Sequence, residues 1–198
     1  MKEDLLGNST VKRRKAAIEI RKNNIEGYSA ILLDALKIES NKTHPETIIE
    51  LIKTLGFKGD EVAKLYIKEN YVDKGLFLAT SCAAYVRLDR VDNSDVTSII
   101  DFIRTNDFSK KEGVLEVLGY DKMIPSIENQ EKIISLCWNF GIDRLRGLTD
   151  PRYGLAAACA GWECDKTETF LLHCLESKDE PLIYVSKNSL KKKYVKLR

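Results

Sequence analysis

Proline occurs only four times in the 198 residues and histidine only twice. With 43% apolar and 31% charged residues beside so few prolines, the chain has the composition of an ordered, folded body rather than a disordered one. Of its two histidines, His173 adjoins Cys174 in sequence, so the two point to different sides of a helix, and His44 lies more than 100 residues away; a Cys-His catalytic pair has no positive support. Neither G-x-x-x-x-G-K-[ST] nor G-x-G-x-x-G occurs, which argues against nucleotide-driven chemistry. C-x-x-C is absent too, and Cys159, Cys164 and Cys174 have no zinc-ribbon or zinc-finger spacing, so no metal or other cofactor is expected. No apolar run approaches the roughly 20 residues that cross a bilayer, and the start MKEDLLGNSTVKRRK lacks the apolar block of a secretory signal. A cytoplasmic protein with no membrane partner is the expectation.

What the chain does contain is helical periodicity, with hardly any strand-like alternation. Ser9 or Thr10 caps a predicted helix through about Lys22, and Asn24 a second carrying Ile31, Leu32, Ala35 and Leu36. In THPE, Thr43 and Glu46 have capping-box spacing, and Gly56 reads as the stop of that helix. Asp60 opens a helix with Val62, Leu65 and Tyr66 inward, and Asp73 opens one with Leu76, Ala79, Ala83 and Val86 inward. Asn93 or Ser94 precedes the stripe Val96, Ile99, Ile100 and Ile103. Further on, SKKE at 109–112 reads as another box, with Gly119 ending its helix. Ile133, Ile134, Cys137 and Trp138 form an inward face that ends near Gly141, Asp150-Pro151 starts a further helix, and Asp165 with Glu168 another. The last, basic helix covers about 181–198.

These helices pair, and the first helices of successive pairs start roughly 30 to 40 residues apart. A helix-turn-helix unit that recurs at that period cannot bury its apolar face alone and stacks on its neighbours. The expected fold is therefore all-α: one domain over 1–198, an α-α superhelix of about five helical hairpins plus a terminal helix. DPRYGLAAACAGW, residues 150–162, resembles the first helix of a HEAT repeat, with its Asp-Pro start, early basic residue and run of small residues. STVKRRKAAIEI at 9–20, HPETIIELIKTLG at 44–56 and DKGLFLATSCAAYV at 73–86 match that pattern more loosely.

Charge divides unevenly, with residues 41–180 carrying a net charge of −6 and residues 181–198 six bases and no acid. Asp92, Asp95, Asp101, Glu128, Glu131, Asp165 and Glu168 fall at helix starts or in loops, where acids meet the helix dipole favourably. In a stack of hairpins these positions line one rim and give a negative strip for a basic protein partner, with Trp138 and Tyr153 as candidate aromatic anchors. Lys191, Lys192 and Lys193 form either the polar cap of a terminal repeat or a nucleic-acid contact with Tyr194 beside them, and KRRK at 12–15 has the same two readings.

Two narrower functions follow from resemblance. A small, cytoplasmic, all-helical solenoid with an acidic body and no catalytic set looks like some bacterial immunity proteins, which neutralise the toxins of contact-dependent inhibition and related polymorphic toxin systems. Many of those toxins are basic nucleases. The alternative is a HEAT-like nucleic-acid-binding protein or alkyl-base DNA glycosylase, a resemblance that would engage Trp138, Asp143 and Trp162, with Arg144, Arg146 and Arg152 toward phosphate. Against it, residues 108–180 contain nine bases and 13 acids, unlike a broadly basic groove.

Overall fold

The computed structural model describes residues 1–41, 44–140 and 150–197. Thr43, Gly141, Asp143, Arg144 and Arg146 lie outside the described residues. Those described form twelve α-helices and no strand, so the all-α expectation holds. No helix among them is long and apolar enough to cross a membrane. The chain divides into two compact units, Met1–Asp89 and Arg90–Arg198.

The first unit holds α1 (Lys2–Leu6), α2 (Thr10–Lys22), α3 (Ser29–Ser40), α4 (Pro45–Lys58), α5 (Glu61–Ile67) and α6 (Leu78–Asp89), with a π-helical turn at Lys68–Val72. Helix α4 packs against both α2 and α6, while α1, α3 and α5 make a second row beside them. Within the second unit are α7 (Thr97–Ile103), α8 (Phe108–Tyr120), α9 (Ile127–Cys137), α10 (Arg152–Ala158), α11 (Lys166–Leu175) and α12 (Glu180–Ser189), with a 3₁₀ turn at Cys159–Gly161. The same two-row pattern returns there: α8, α10 and α12 are successive neighbours, and so are α7, α9 and α11.

Small residues set the closest approaches in the first of these rows. A Cβ on Gly119 of α8 would lie 2.5 Å from the Gly154 carbonyl oxygen of α10, and one on Gly154 would strike the Leu115 carbonyl. Gly56 meets α6 in the same way, its missing Cβ being 2.8 Å from Ala84 Cα. Gly56 and Gly119 thus lie in the last turns of their helices, two residues and one residue before the ends, rather than just beyond them. Helix α4 runs on to Lys58, and α8 to Tyr120, because backbone contact across the helices outweighs the entropic cost of glycine inside them.

The N-terminus of the first unit is tied down by a buried charge pair. Arg13 and Glu39, both fully buried, form an ion pair, Arg13 Nε donates to the Leu5 carbonyl at 2.8 Å, and Thr10 Oγ1 donates to Glu39 at 3.1 Å. Arg14 pairs with Glu46 and Arg21 with Glu50 at 2.7 Å, linking α2 to α4. The KRRK cluster is accordingly half consumed by the fold, which leaves Lys12 and Lys15 exposed and Arg13 at the centre of the unit.

Several predicted starts shift. Asn24 does not cap α3; it takes a left-handed conformation, φ 52°, and the helix begins five residues later. Ser109 lies inside α8, because Asp107 provides the cap by accepting from Lys110 N at 3.0 Å. Asp73 ends the π turn rather than opening a helix, and Leu76 is 46% exposed. On α5, Asp60 accepts from Ala63 N at 3.1 Å and sets the rotation of a seven-residue helix so that Ala63 and Ile67 face inward. Val62 and Leu65, predicted core, are left 63% and 49% exposed. Asp165 makes no capping bond, although α11 starts where expected. The basic terminal helix stops at Ser189: Asn188 O accepts from Lys193 N at 3.0 Å, Lys192 turns to φ 55°, and the irregular remainder brings Leu197 into a buried position.

Gly154→Ala is expected to lower folding stability by about 3 kcal/mol, at the upper end for overpacking, since the new methyl meets backbone on α8 rather than a mobile side chain. Urea denaturation followed by circular dichroism measures it.

Candidate functional site

The acidic positions predicted to bind a partner all belong to the second unit, on or just before α7, α9 and α11. At the entry to α7, Asp92 accepts from Ser94 N and Ser94 Oγ, both at 2.7 Å, and Asp95 accepts from Thr97 Oγ1 at 2.8 Å and Thr97 N at 3.1 Å. The serine hydroxyl and amide hold the Asp92 carboxyl below the usual carboxylate range, and the Thr97 amide and hydroxyl do the same for Asp95. Both are firmly anionic, but their lone pairs are turned toward the chain's own loop. Asp101, on α7, is exposed and stands 3.8 Å from Arg104.

Helix α9 begins at Ser126, whose hydroxyl accepts from Asn129 N at 3.4 Å, and its first turns carry Glu128, exposed, and Glu131, half-buried. The neighbouring residue Gln130 is buried and links this helix to the next. Its amide donates to the Pro125 carbonyl at 2.8 Å, while its Oε1 accepts from Glu163 N at 3.0 Å and Cys164 N at 3.1 Å. This bridge fixes the head of α11, with exposed Asp165 and Glu168, beside α9; Lys166 Nζ to Ser135 Oγ, 2.9 Å, adds a second tie. Five of the seven predicted acids (Asp101, Glu128, Glu131, Asp165 and Glu168) therefore point no capping oxygen at their own helix start.

The head of α11 also borders a cavity of about 430 Å³, lined in part by Glu163, Asp165, Glu168, Leu171, Ser189 and Lys192. Lys192 Nζ donates to the Trp162 carbonyl at 2.7 Å, so the tail folds back onto this wall. Lys191 and Lys193 are exposed beside it. Glu163 and Ser189 escaped the sequence reading. Glu163 carried no capping signal, and Ser189 acquires its place only through the fold.

Of the two candidate anchors, Trp138 is half-buried at the end of α9, where it stacks parallel on His173 of α11 with ring centroids 5.1 Å apart and touches Phe170. It thus faces α11 at the edge of the core rather than lying fully inward. Tyr153 lies on α10, in the other row of helices, so the two aromatics do not share one helix row. Trp162 is fully buried and donates its indole N–H to the Met123 carbonyl at 2.8 Å, which removes it as a platform for a base. Comparison with protein-family models, curated proteins and solved structures finds no match.

All five cysteines are reduced and buried, and among the described residues no group of three or more His, Cys, Asp or Glu is placed to hold a metal ion. Burial pushes the Cys137 and Cys159 thiols far up and that of Cys174 up to about 12, against an ordinary value of 9.0. Arg152, near Cys174, is committed to Asp150 through a 2.7 Å bond in a buried pair, and Asp150 also accepts from Arg152 N at 2.9 Å, so the predicted Asp-Pro start is used one residue further on. The folded protein is expected to resist a thiol-specific disulfide reagent at pH 8 and to react at five sites once denatured. Above about pH 9 the unfolded thiols lose protons that the buried ones keep, so the unfolded state binds fewer protons and stability falls as pH rises; urea midpoints at pH 8 and pH 10 read this out.

Proposed function

We propose that the chain is a non-catalytic binding protein that presents the α7, α9 and α11 row of its second unit to a basic protein partner. The carrying observation is that Glu128 and Glu131 on α9 and Asp165 and Glu168 at the head of α11 lie on adjacent helices locked together by Gln130. Carboxylates on such a rigid face speed encounter with a positive surface and set its register. Trp138, half-buried on the same row, supplies the apolar contact that a charged rim alone lacks. The two-row packing inside each unit supports the HEAT-like superhelix as the architecture behind this surface.

In its sharper form the proposal makes the protein a cytoplasmic bacterial immunity protein that neutralises a toxin domain, most simply a nuclease whose positive cleft the acidic row fills. Nucleic-acid binding is the second reading, favoured by the exposed Lys191, Lys193 and Lys196 around Tyr194. It loses ground at the other end of the chain, where Arg13 and Arg14 of the KRRK cluster are spent on Glu39 and Glu46.

Co-expression with a toxin domain encoded next to its gene should restore growth to cells that the toxin alone arrests, and the purified pair should form a complex that weakens with salt. Glu128→Lys with Glu131→Lys should weaken that complex by roughly 100-fold or more, since two attractive contacts become repulsive, with an unchanged urea midpoint. Normal growth of cells expressing the neighbour alone rejects the immunity reading. A complex indifferent to both reversals and to salt rejects the acidic row.

A further inference from the structure

Apart from the acidic row, and as the site that the nucleic-acid reading needs, we infer that the depression between the end of α8 and the returning tail binds a nucleotide unit, its base on tyrosine and its phosphate on lysine. The depression measures about 360 Å³, within the roughly 300–1,000 Å³ of small-ligand sites, and is lined in part by Gly119, Tyr120, Lys122, Tyr194, Lys196 and Leu197. No carboxylate is among its described lining residues, and neither Lys122 nor Lys196 forms an ion pair with another described residue. The acid in the turn, Asp121, is committed to Arg90 at 2.8 Å. Tyr120 is 50% and Tyr194 37% exposed, whereas Leu197 is buried against Gly119 and gives the depression an apolar wall.

The placement of Lys122 separates this depression from a scatter of surface lysines. Lys122 N donates to Gly119 O at 3.3 Å and Met123 N to Leu118 O at 2.9 Å, the closing bonds of a helix end whose left-handed position is usually filled by glycine. Lysine holds that position here at φ 50°, a conformation that a β-carbon makes costly. Asn93 Nδ2 braces the turn by donating to the Asp121 carbonyl at 3.1 Å and the Lys122 carbonyl at 3.4 Å. The strained turn sets the Lys122 ammonium 5.0 Å from the centre of the Tyr194 ring. Tyr194 in turn packs its hydroxyl against Gly161, where any side chain would displace it. A cation held beside exposed aromatic rings suits a guest that carries negative charge and a flat π surface together. A nucleotide has both, whereas an acidic side chain or inorganic phosphate brings the charge and nothing to lie on a tyrosine.

The test titrates the full chain at low salt with a short oligothymidylate and, separately, with thymidine monophosphate, followed through backbone amide NMR. Shifts are expected at residues 119–122 and 194–197. Tyr120→Ala should weaken binding roughly tenfold, the scale of losing one stacked base. Lys122→Gly should reduce the slope of log affinity for the oligonucleotide against log salt by about 0.7, the scale of one phosphate contact on a single strand, while holding or raising the urea midpoint, because glycine relieves the left-handed turn. Lys196→Ala, in the exposed tail, should lower the slope by the same amount. These losses with both probes uphold the site; tighter binding of the monophosphate then assigns it to a free nucleotide, and tighter binding of the oligonucleotide to a single strand. Absence of shifts with either probe, binding indifferent to Tyr120→Ala and to both lysine substitutions, or equal shifts from a polyglutamate peptide overturns the inference. Its failure leaves the acidic row untouched, because Glu128→Lys with Glu131→Lys is read on the protein complex alone.

Discussion

Backbone-to-backbone contact between alternate helices is the constraint on which both units depend. Where Gly119 meets Gly154, and Gly56 meets Ala84, the helices come close enough that side-chain layers are replaced by small residues and carbonyls. That proximity has two consequences. It fixes the spacing of α4 against α6 and of α8 against α10, and the larger apolar side chains of the same helices, Leu51, Leu55, Leu115 and Leu118, are fully buried. The run Leu155 to Ala160 serves the same geometry, since a helix of small residues can be buried on nearly every side.

The candidate surface arises on the other row of the second unit, where polar ties join α9 to the head of α11. Arg13 with Glu39, Asp150 with Arg152, and the Gln130 bridge are all buried polar groups whose partners are supplied by the chain. Such groups contribute less to net stability than apolar side chains of equal size, but removing one partner strands the other, so each enforces a single arrangement. Gln130 enforces the arrangement of α9 and α11, because it holds the loop at Glu163 and Cys164 against α9 and so sets the head of α11, with Asp165 and Glu168, beside that helix.

Long apolar periodicity carried most of the fold into the sequence. Ile48, Leu51, Ile52 and Leu55 on α4, and Val96, Ile99, Ile100 and Ile103 around α7, are buried as their spacing requires. Local signals were less dependable at the start of α8, where Asp107 rather than Ser109 makes the cap, and where a glycine suited both a stop and a close crossing, as Gly56 and Gly119 did. The stripe on α5 misled for another reason: seven residues are too few for a periodic pattern to outweigh the rotation set by Asp60 and the π turn that follows. The acidic residues were visible individually, but sequence could not show which would spend their oxygens locally. Asp92 and Asp95 do so because Ser94 and Thr97 stand two residues on, whereas Glu128 and Glu168 have no such neighbour.

The basic tail gives the acidic surface its electrostatic context. Helix α12 ends at Ser189, Lys192 returns to the Trp162 carbonyl, and Leu197 is buried near Gly119 of α8. One lysine is thereby brought to the edge of a cavity bearing three carboxylates, while Lys191 and Lys193 stay in solvent. Screening in water confines each charge to its neighbourhood of about 10 Å or less at ordinary ionic strength. A modest net charge for the whole chain therefore says little about the surface at α11, where Glu163, Asp165 and Glu168, none of which forms an ion pair among the described residues, border a space whose lining Lys192 is turned toward a backbone oxygen.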